Sequence, residues 1–185
     1  MKVAITGHTN GIGLGLYNYF IRQGHEVIGF SRSNGFTMPE ANQRILEQII
    51  DCDIFINNSE PVSSQIFFLK QLWPLWRDQT KTIIVIGSVL SKLSTLSSRY
   101  PYAHIDKKIL DIETRKITHD YDAFEKPKCT VTSIHPSFVE TNLHREYNVP
   151  DAPEEVTLSV EEVVNIIDMI LKSPVIIEEI VFRKR

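Results

Sequence analysis

Met1-Lys2-Val3-Ala4-Ile5-Thr6-Gly7-His8-Thr9-Asn10-Gly11-Ile12-Gly13 opens the chain and decides how the rest of it is read. Val3, Ala4 and Ile5 form the short apolar run that a buried parallel strand requires. Gly7, Gly11 and Gly13 follow, and without a Cβ they let the backbone come close to a ligand. From Ile12 onward, Leu14, Leu16, Tyr17, Phe20 and Ile21 recur at roughly helical spacing. A helix starting there presents unpaired N–H groups and a partial positive charge, which suit a pyrophosphate. Three glycines by themselves are also what a tight strand-to-helix turn needs, so the surrounding pattern has to decide.

Strand and helix patterns alternate outward from this turn. Lys2–Thr6 reads as a strand, Ile12–Gln23 as a helix stopped by Gly24, and Glu26–Phe30 as a second strand. Pro39 suits the first turn of a helix running to about Ile50, with Ile45, Leu46, Ile49 and Ile50 on its apolar face. Asp53–Asn57 is a strand, and Pro61–Gln79 a helix rich in Phe, Leu and Trp that Pro74 kinks or ends early. Thr82–Ile86 is the most hydrophobic strand and belongs at the sheet centre. A helix from about Pro101 to Asp122, a strand Cys129–Ile134, a helix near Val160–Leu171 and a strand Val175–Phe182 complete the series. Strands separated by helices require parallel pairing with right-handed crossovers, hence a doubly wound, mostly parallel, Rossmann-like α/β sheet. Ligands of such sheets sit beyond the carboxyl ends of the strands at the switch point.

At 185 residues, the chain is expected to form one domain over positions 1–185. Its 42% hydrophobic and 23% charged residues are those of an ordinary globular protein, which argues against disorder. A net charge of −3 offers no electrostatic case for nucleic acid or an anionic membrane. Arg183-Lys184-Arg185 is short enough to be a solvated end. Cys52 and Cys129 lie far apart without metal-ligand spacing, so free thiols in a reducing compartment and no metal are expected. No apolar run approaches a membrane span and the opening residues read as a strand, which makes a cytoplasmic location the expectation.

Four stretches carry chemistry, and each falls at a strand's carboxyl end. They are Thr6-Gly7-His8-Thr9-Asn10-Gly11-Ile12-Gly13, Asn57-Asn58-Ser59, Ile86-Gly87-Ser88 and His135-Pro136-Ser137-Phe138-Val139-Glu140-Thr141. In this order they resemble the short-chain dehydrogenase/reductase family. The first matches the family's TGxxxGIG turn, the second its NNAG with Ser59 and Glu60 in place of Ala and Gly, and the last its PGxVxT with Ser137 in place of Gly. The third sits where the family keeps its active-site serine. The resemblance implies a nicotinamide dinucleotide held by Gly7, Thr9, Asn10, Gly11, Ile12 and Gly13, by Asn57, Asn58 and Ser59, and by Pro136, Val139 and Thr141. Asn57 and Asn58 are also what plain turn chemistry favours, and His135 reads as a strand-end residue rather than a catalyst.

The end of the second strand bears on which dinucleotide is bound. A free 2′-hydroxyl is usually held there by an acid, but no acid lies between Glu26 and Glu40. Arg32 offers instead a forked cation suited to a 2′-phosphate, flanked by the hydroxyls of Ser31 and Ser33. This favours NADP over NAD, unless Arg32 is simply a surface loop residue.

The resemblance further implies hydride transfer with Ser88, Tyr102 and Lys107 as the catalytic set: serine positions the substrate oxygen, tyrosine moves a proton, lysine supports the tyrosine and bonds a ribose. The family spacing is YxxxK, which puts both side chains on one helix face. Here four residues after Tyr102 stands Asp106, and four after Tyr100 stands His104. If Ile109-Leu110-Asp111 sets the register, Lys107 takes the lysine position, Ala103 the tyrosine position, and Tyr102 is one residue early, unless a bulge or a helix beginning only after Tyr102 brings its ring back. The relay asparagine expected between Pro61 and Gln79 is missing. The third-strand region is trimmed, with Gly35-Phe36-Thr37-Met38 as a candidate remnant.

The reading that results is an NADP(H)-dependent short-chain oxidoreductase acting on a small carbonyl or alcohol substrate. The alternative is a dinucleotide-binding relative without turnover that senses the nucleotide or serves a partner; an epimerase- or lyase-like use of bound nicotinamide is a third reading. A homodimer through the 61–79 and 101–122 helices is also expected. Phe67, Phe68, Leu69, Leu72, Trp73, Leu75 and Trp76 exceed what one core-facing stripe needs, unless the indoles pack inside.

Overall fold

The computed structural model describes residues 1–95, 101–118, 126–141 and 154–185. The elements are β1 (Lys2–Thr6), α1 (Gly11–Arg22), β2 (Glu26–Phe30), α2 (Asn42–Ile49), β3 (Ile54–Asn57), α3 (Val62–Trp76), β4 (Thr82–Ile86), α4 (Pro101–Thr118), β5 (Thr130–Pro136), α5 (Val160–Lys172) and β6 (Glu179–Phe182). All six strands pair in parallel in the order β2-β1-β3-β4-β5-β6. This is the doubly wound sheet the alternation predicts. Winding reverses between β1 and β3, so the switch-point crevice lies over Thr6 and Asn57.

Alternation along the strands divides the core. Ala4, Phe55, Ile83, Val85 and Val131 face α2, α3 and α4 with Ile45, Leu46, Phe68, Leu69, Leu72 and Leu110. Val3, Ile5, Ile54, Ile56, Ile84, Ile86 and Ile134 face α1 and α5 with Leu16, Phe20, Val163, Val164 and Ile167. A sheet covered on both faces has no solvent side, which is why Ile83-Ile84-Val85-Ile86 is continuously apolar and buried.

Several boundaries differ from the sequence reading. Pro74 does not end its helix: α3 continues to Trp76, whose Nε1 donates to the Ile50 carbonyl at 3.1 Å. Of the apolar excess on α3, Phe68, Leu69, Leu72 and Trp76 are buried, while Leu75 is exposed. Gly35–Met38 forms no strand. Phe36 instead packs edge-on against Phe30 and Met38 joins the core margin, so these residues cap the sheet rather than extend it. β6 begins at Glu179, leaving Val175 and Ile176 exposed ahead of it. Tyr100 and the stretch 119–122 of the expected fourth helix lie outside the described residues.

Candidate nucleotide site at the carboxyl end of the sheet

Gly7 takes φ +71°, and its N–H donates to the Phe30 carbonyl at 2.7 Å, tying the turn to the end of β2. A Cβ on Gly13 would stand 2.1 Å from the Gly7 carbonyl oxygen, so only glycine lets α1 start this close to β1. Asn10 occupies the N-cap without a side-chain capping bond, and no acid stands in the first turn of α1. The opening N–H groups of α1 thus remain available to an external anion. Thr9 is half-buried and Asn10 exposed on the turn, while Ile12 packs against the core. The turn fits a dinucleotide diphosphate.

At the end of β2, Arg32 is exposed in the short 3-10 turn Arg32–Asn34 and meets no acid among the described residues. Ser31 is buried, with its hydroxyl 2.8 Å from that of Ser33. Asn34, which the sequence reading passed over, shapes this loop: its Oδ1 accepts from the Ser31 N–H at 2.8 Å and its Nδ2 donates to the Gly29 carbonyl at 2.7 Å. Arg32 therefore projects from a braced turn.

Beyond β3 the two asparagines divide their work. Asn58 Nδ2 donates to the carbonyls of Thr6 at 3.0 Å and Gly7 at 3.5 Å, holding the glycine turn. The Thr6 hydroxyl accepts from the N–H groups of Asn58 at 3.0 Å and Ser59 at 3.2 Å. The Ser59 hydroxyl reaches Met38 Sδ at 3.0 Å. Asn57 is fully buried and turns inward, its Nδ2 donating to the Gln65 carbonyl at 2.8 Å. Gln65, also fully buried, returns two bonds from Nε2, to the carbonyls of Asn57 at 2.8 Å and Ile86 at 3.2 Å. Its Oε1 accepts from Lys107 Nζ at 3.4 Å. One amide thus clamps the ends of β3 and β4 to α4. Sequence reading missed Gln65 because it sought an asparagine; an amide in helical register with the buried Phe68, Leu69 and Leu72 is the signal that marks it.

Lys107 also forms an ion pair at 2.7 Å with Glu60, the residue standing where the resemblance implies glycine. Tyr102 does not join them. It is 83% exposed, and five residues of helix carry it about 140° around the axis from Lys107. Ala103, on the lysine's own face, has no hydroxyl to offer. The structure therefore brings Lys107 to the strand ends and leaves the Tyr102 ring in solvent: α4 is already helical at Pro101, so Tyr102 stays one residue out of the family's register. Ser88 starts the 3-10 turn Val89–Lys92, its Oγ accepting from the Leu90 N–H at 3.2 Å.

The loop after β5 returns to the glycine turn: a Cβ on Gly11 would lie 2.8 Å from the Thr141 methyl. Pro136 is buried at the end of β5, and Val139 packs into the core and bridges to Leu158. The Ser137 hydroxyl is buried without a partner among the described residues. His135 supports the Ser88 turn from below. The Ser91 hydroxyl donates to the Ser88 carbonyl at 2.8 Å and so accepts from His135 Nδ1 at 3.0 Å, while Nε2 accepts from the Ser133 hydroxyl at 3.1 Å. Burial and the nearby Lys92 ammonium hold the His135 pKa below its ordinary value, consistent with this neutral ring. Beside it Lys92 pairs with buried Asp111 at 2.7 Å and with Glu179 at 2.9 Å, and Arg115 bonds both acids. This network ties the Ser88 turn to α4 and β6. It has no sequence signature, since its members come from three separate elements.

No protein-family model and no curated protein matches the sequence. Solved structures do match it in fold. A short-chain dehydrogenase from Burkholderia cenocepacia J2315, in complex with NADP, superposes with a TM-score of 0.76 at 19% identity, covering 97% of this chain and 86% of that one. A short-chain dehydrogenase from Sphingobium yanoikuyae, in complex with NADPH, gives 0.75 at 14% identity over 96% and 87% of the two chains. A 3-alpha-hydroxysteroid dehydrogenase from Pseudomonas sp. B-0831, complexed with NADH, gives 0.69 at 16% identity over 98% and 94%. The chain has the Rossmann-like fold of the short-chain dehydrogenases/reductases, as its motifs lead one to expect.

Proposed function

We propose that this protein binds NADP(H) and acts as a short-chain oxidoreductase on a small carbonyl or alcohol substrate. The observation that carries this reading is the glycine turn, whose uncapped helix start faces the switch-point crevice. Gly7, Gly11 and Gly13 with Thr9, Asn10 and Ile12 would hold the diphosphate, and Asn58 and Ser59 keep the turn in shape. Arg32 with Ser33 would take the 2′-phosphate that distinguishes NADP from NAD. Pro136, Val139 and Thr141 would border the nicotinamide. The cofactor, when bound, supplies or accepts the hydride. Ser88 would orient the substrate oxygen from its braced turn, and Lys107 would place a positive charge at the strand ends.

The exposed Tyr102 favours a second reading, a dinucleotide-binding protein without turnover that senses the nucleotide or serves a partner. NADPH consumption with a panel of aldehydes and ketones separates the two. Turnover that Lys107→Met abolishes supports the enzyme, and tight binding without turnover of any substrate supports the alternative. Equal rates for wild type and Tyr102→Phe would remove that hydroxyl from the mechanism. For cofactor choice, Arg32→Asp should weaken NADPH binding by well over tenfold while sparing NADH; unchanged affinity would show that Arg32 does not reach the phosphate.

A homodimer through α3 and α4 fits the exposed stripe of Ile105, Ile109 and Ile112 on α4, with Leu75 exposed on α3. A monomer in sedimentation at micromolar concentration would remove it. No helix among the described residues is long and apolar enough to cross a membrane. A cytoplasmic location remains our reading of the two free, buried cysteines.

A further inference from the structure

We infer that Glu60 is a nucleotide-binding residue, the carboxylate that accepts hydrogen bonds from the ribose diol on the nicotinamide side, with Lys107 beneath it as its positioning residue. The inference rests on the proposed binding of NADP(H). Successive strand ends along the crest of the sheet present Arg32 after β2, the glycine turn after β1, Glu60 after β3 and Ser88 after β4. Adjacent strands lie about 4.8 Å apart, so this row spans roughly 14 Å, enough to underlie an extended dinucleotide. With the 2′-phosphate at Arg32 and the diphosphate at α1, the second ribose is directed over β3 and β4, where Glu60 stands.

Exposure within the ion pair identifies which partner meets the ligand. The Lys107 side chain is 14% exposed and held from below by Gln65, whereas that of Glu60 is 40% exposed. The ammonium is the covered member and the carboxylate the open one. A vicinal diol offers two O–H donors, which a carboxylate accepts and an ammonium cannot; acids at strand ends hold ribose hydroxyls in this way elsewhere in Rossmann-type sites. The Glu60–Lys107 contact of 2.7 Å fixes the carboxylate before the ligand arrives, so little ordering remains to be done on binding.

The test compares two ligands on the full chain by calorimetric or fluorescence titration: NADPH, and adenosine 2′,5′-bisphosphate, which has no nicotinamide ribose. Glu60→Gln, which keeps shape and loses charge, should weaken NADPH at least tenfold and leave the bisphosphate within twofold, with Glu60→Asp recovering part of the loss. Lys107→Met should weaken NADPH, and combining it with Glu60→Gln should add little because the two act as a unit. Equal weakening of both ligands would mean a fold defect and would overturn the assignment. Unchanged or tighter NADPH binding by Glu60→Gln would also overturn it, the latter showing that the carboxylate masks Lys107 from the nucleotide. A wild-type protein that takes up neither ligand would refute the proposed function itself, and this inference with it.

Discussion

Replacing Gln65 by leucine tests the architecture of the site more sharply than any change to an exposed residue. The two side chains are close in size, so packing is largely kept while every polar bond of the clamp is removed. The carbonyls of Asn57 and Ile86 lose donors at 2.8 and 3.2 Å in a region closed to water, and Lys107 loses its inner acceptor. A buried acceptor left without its donor costs about 1–2 kcal/mol. The two together should therefore remove roughly 2–4 kcal/mol of stability, and the long Lys107 bond adds little. For a chain of this size that corresponds to a fall in Tm of roughly 5–15 °C. Urea denaturation with an unchanged m-value reports the loss, and thermal melting provides the second measure. Gln65→Glu should be no better than leucine, because a carboxylate cannot donate to either carbonyl. If Gln65→Leu unfolds within about 0.5 kcal/mol of wild type, the clamp contributes nothing and the account of how β3, β4 and α4 are joined is wrong.

Other outcomes follow from single distances and burials. Gly13→Ala drives a Cβ to 2.1 Å from a backbone oxygen that cannot retreat, and should cost more than about 2 kcal/mol and abolish the thermal shift given by NADPH. Gly24→Ala, where a Cβ meets nothing within 4 Å and only φ +77° is unfavourable, should cost about 1 kcal/mol and leave that shift intact. His135 is held neutral with a depressed pKa, so the unfolded chain takes up the proton first; its contribution is present above about pH 6.5 and fades as pH falls below that value. Stability should then decline as pH falls below about 6.5, at no more than about 1.4 kcal/mol per pH unit, and His135→Gln should flatten that decline; an identical slope in the variant would exclude His135 as its source. Burial raises the thiols of Cys52 and Cys129 to about 11 and about 12, so a thiol reagent at pH 8 should leave the native protein unlabelled and modify both cysteines in denaturant, whereas fast native labelling would contradict that burial.

Legibility tracked how local each signal was. The glycine turn was readable because its constraint lies within seven residues: a strand, a backbone that must approach closely, and a helix start. The place of the second-strand arginine was readable for the same reason, since Arg32 follows within two residues of a strand the local pattern already marks. The register of α4 was half readable: Ala103 stands four residues before Lys107 in the sequence itself, but the helix start at Pro101 rather than after Tyr102, which fixes where that ring falls, came from the structure. Gln65 and Glu60 were not. Each draws its meaning from Lys107, which lies 42 and 47 positions further on, and nothing in the helix or loop that bears them announces the pairing. The ring of Asp111, Lys92, Arg115 and Glu179 escaped notice on the same ground.

By itself the sequence determined the alternation of strands and helices, the parallel sheet that alternation compels, and the glycine-lined start of α1, because periodicity and the absence of a Cβ act over one or two turns of chain. Only the tertiary structure decided that Asn57 bonds inward while Asn58 holds the turn, that Tyr102 faces solvent, and that Glu60 rests on Lys107. Those outcomes depend on which strand ends lie side by side and on how far each helix is rotated when its apolar face meets the sheet. Packing of the whole chain sets both quantities, and no stretch of residues carries them alone.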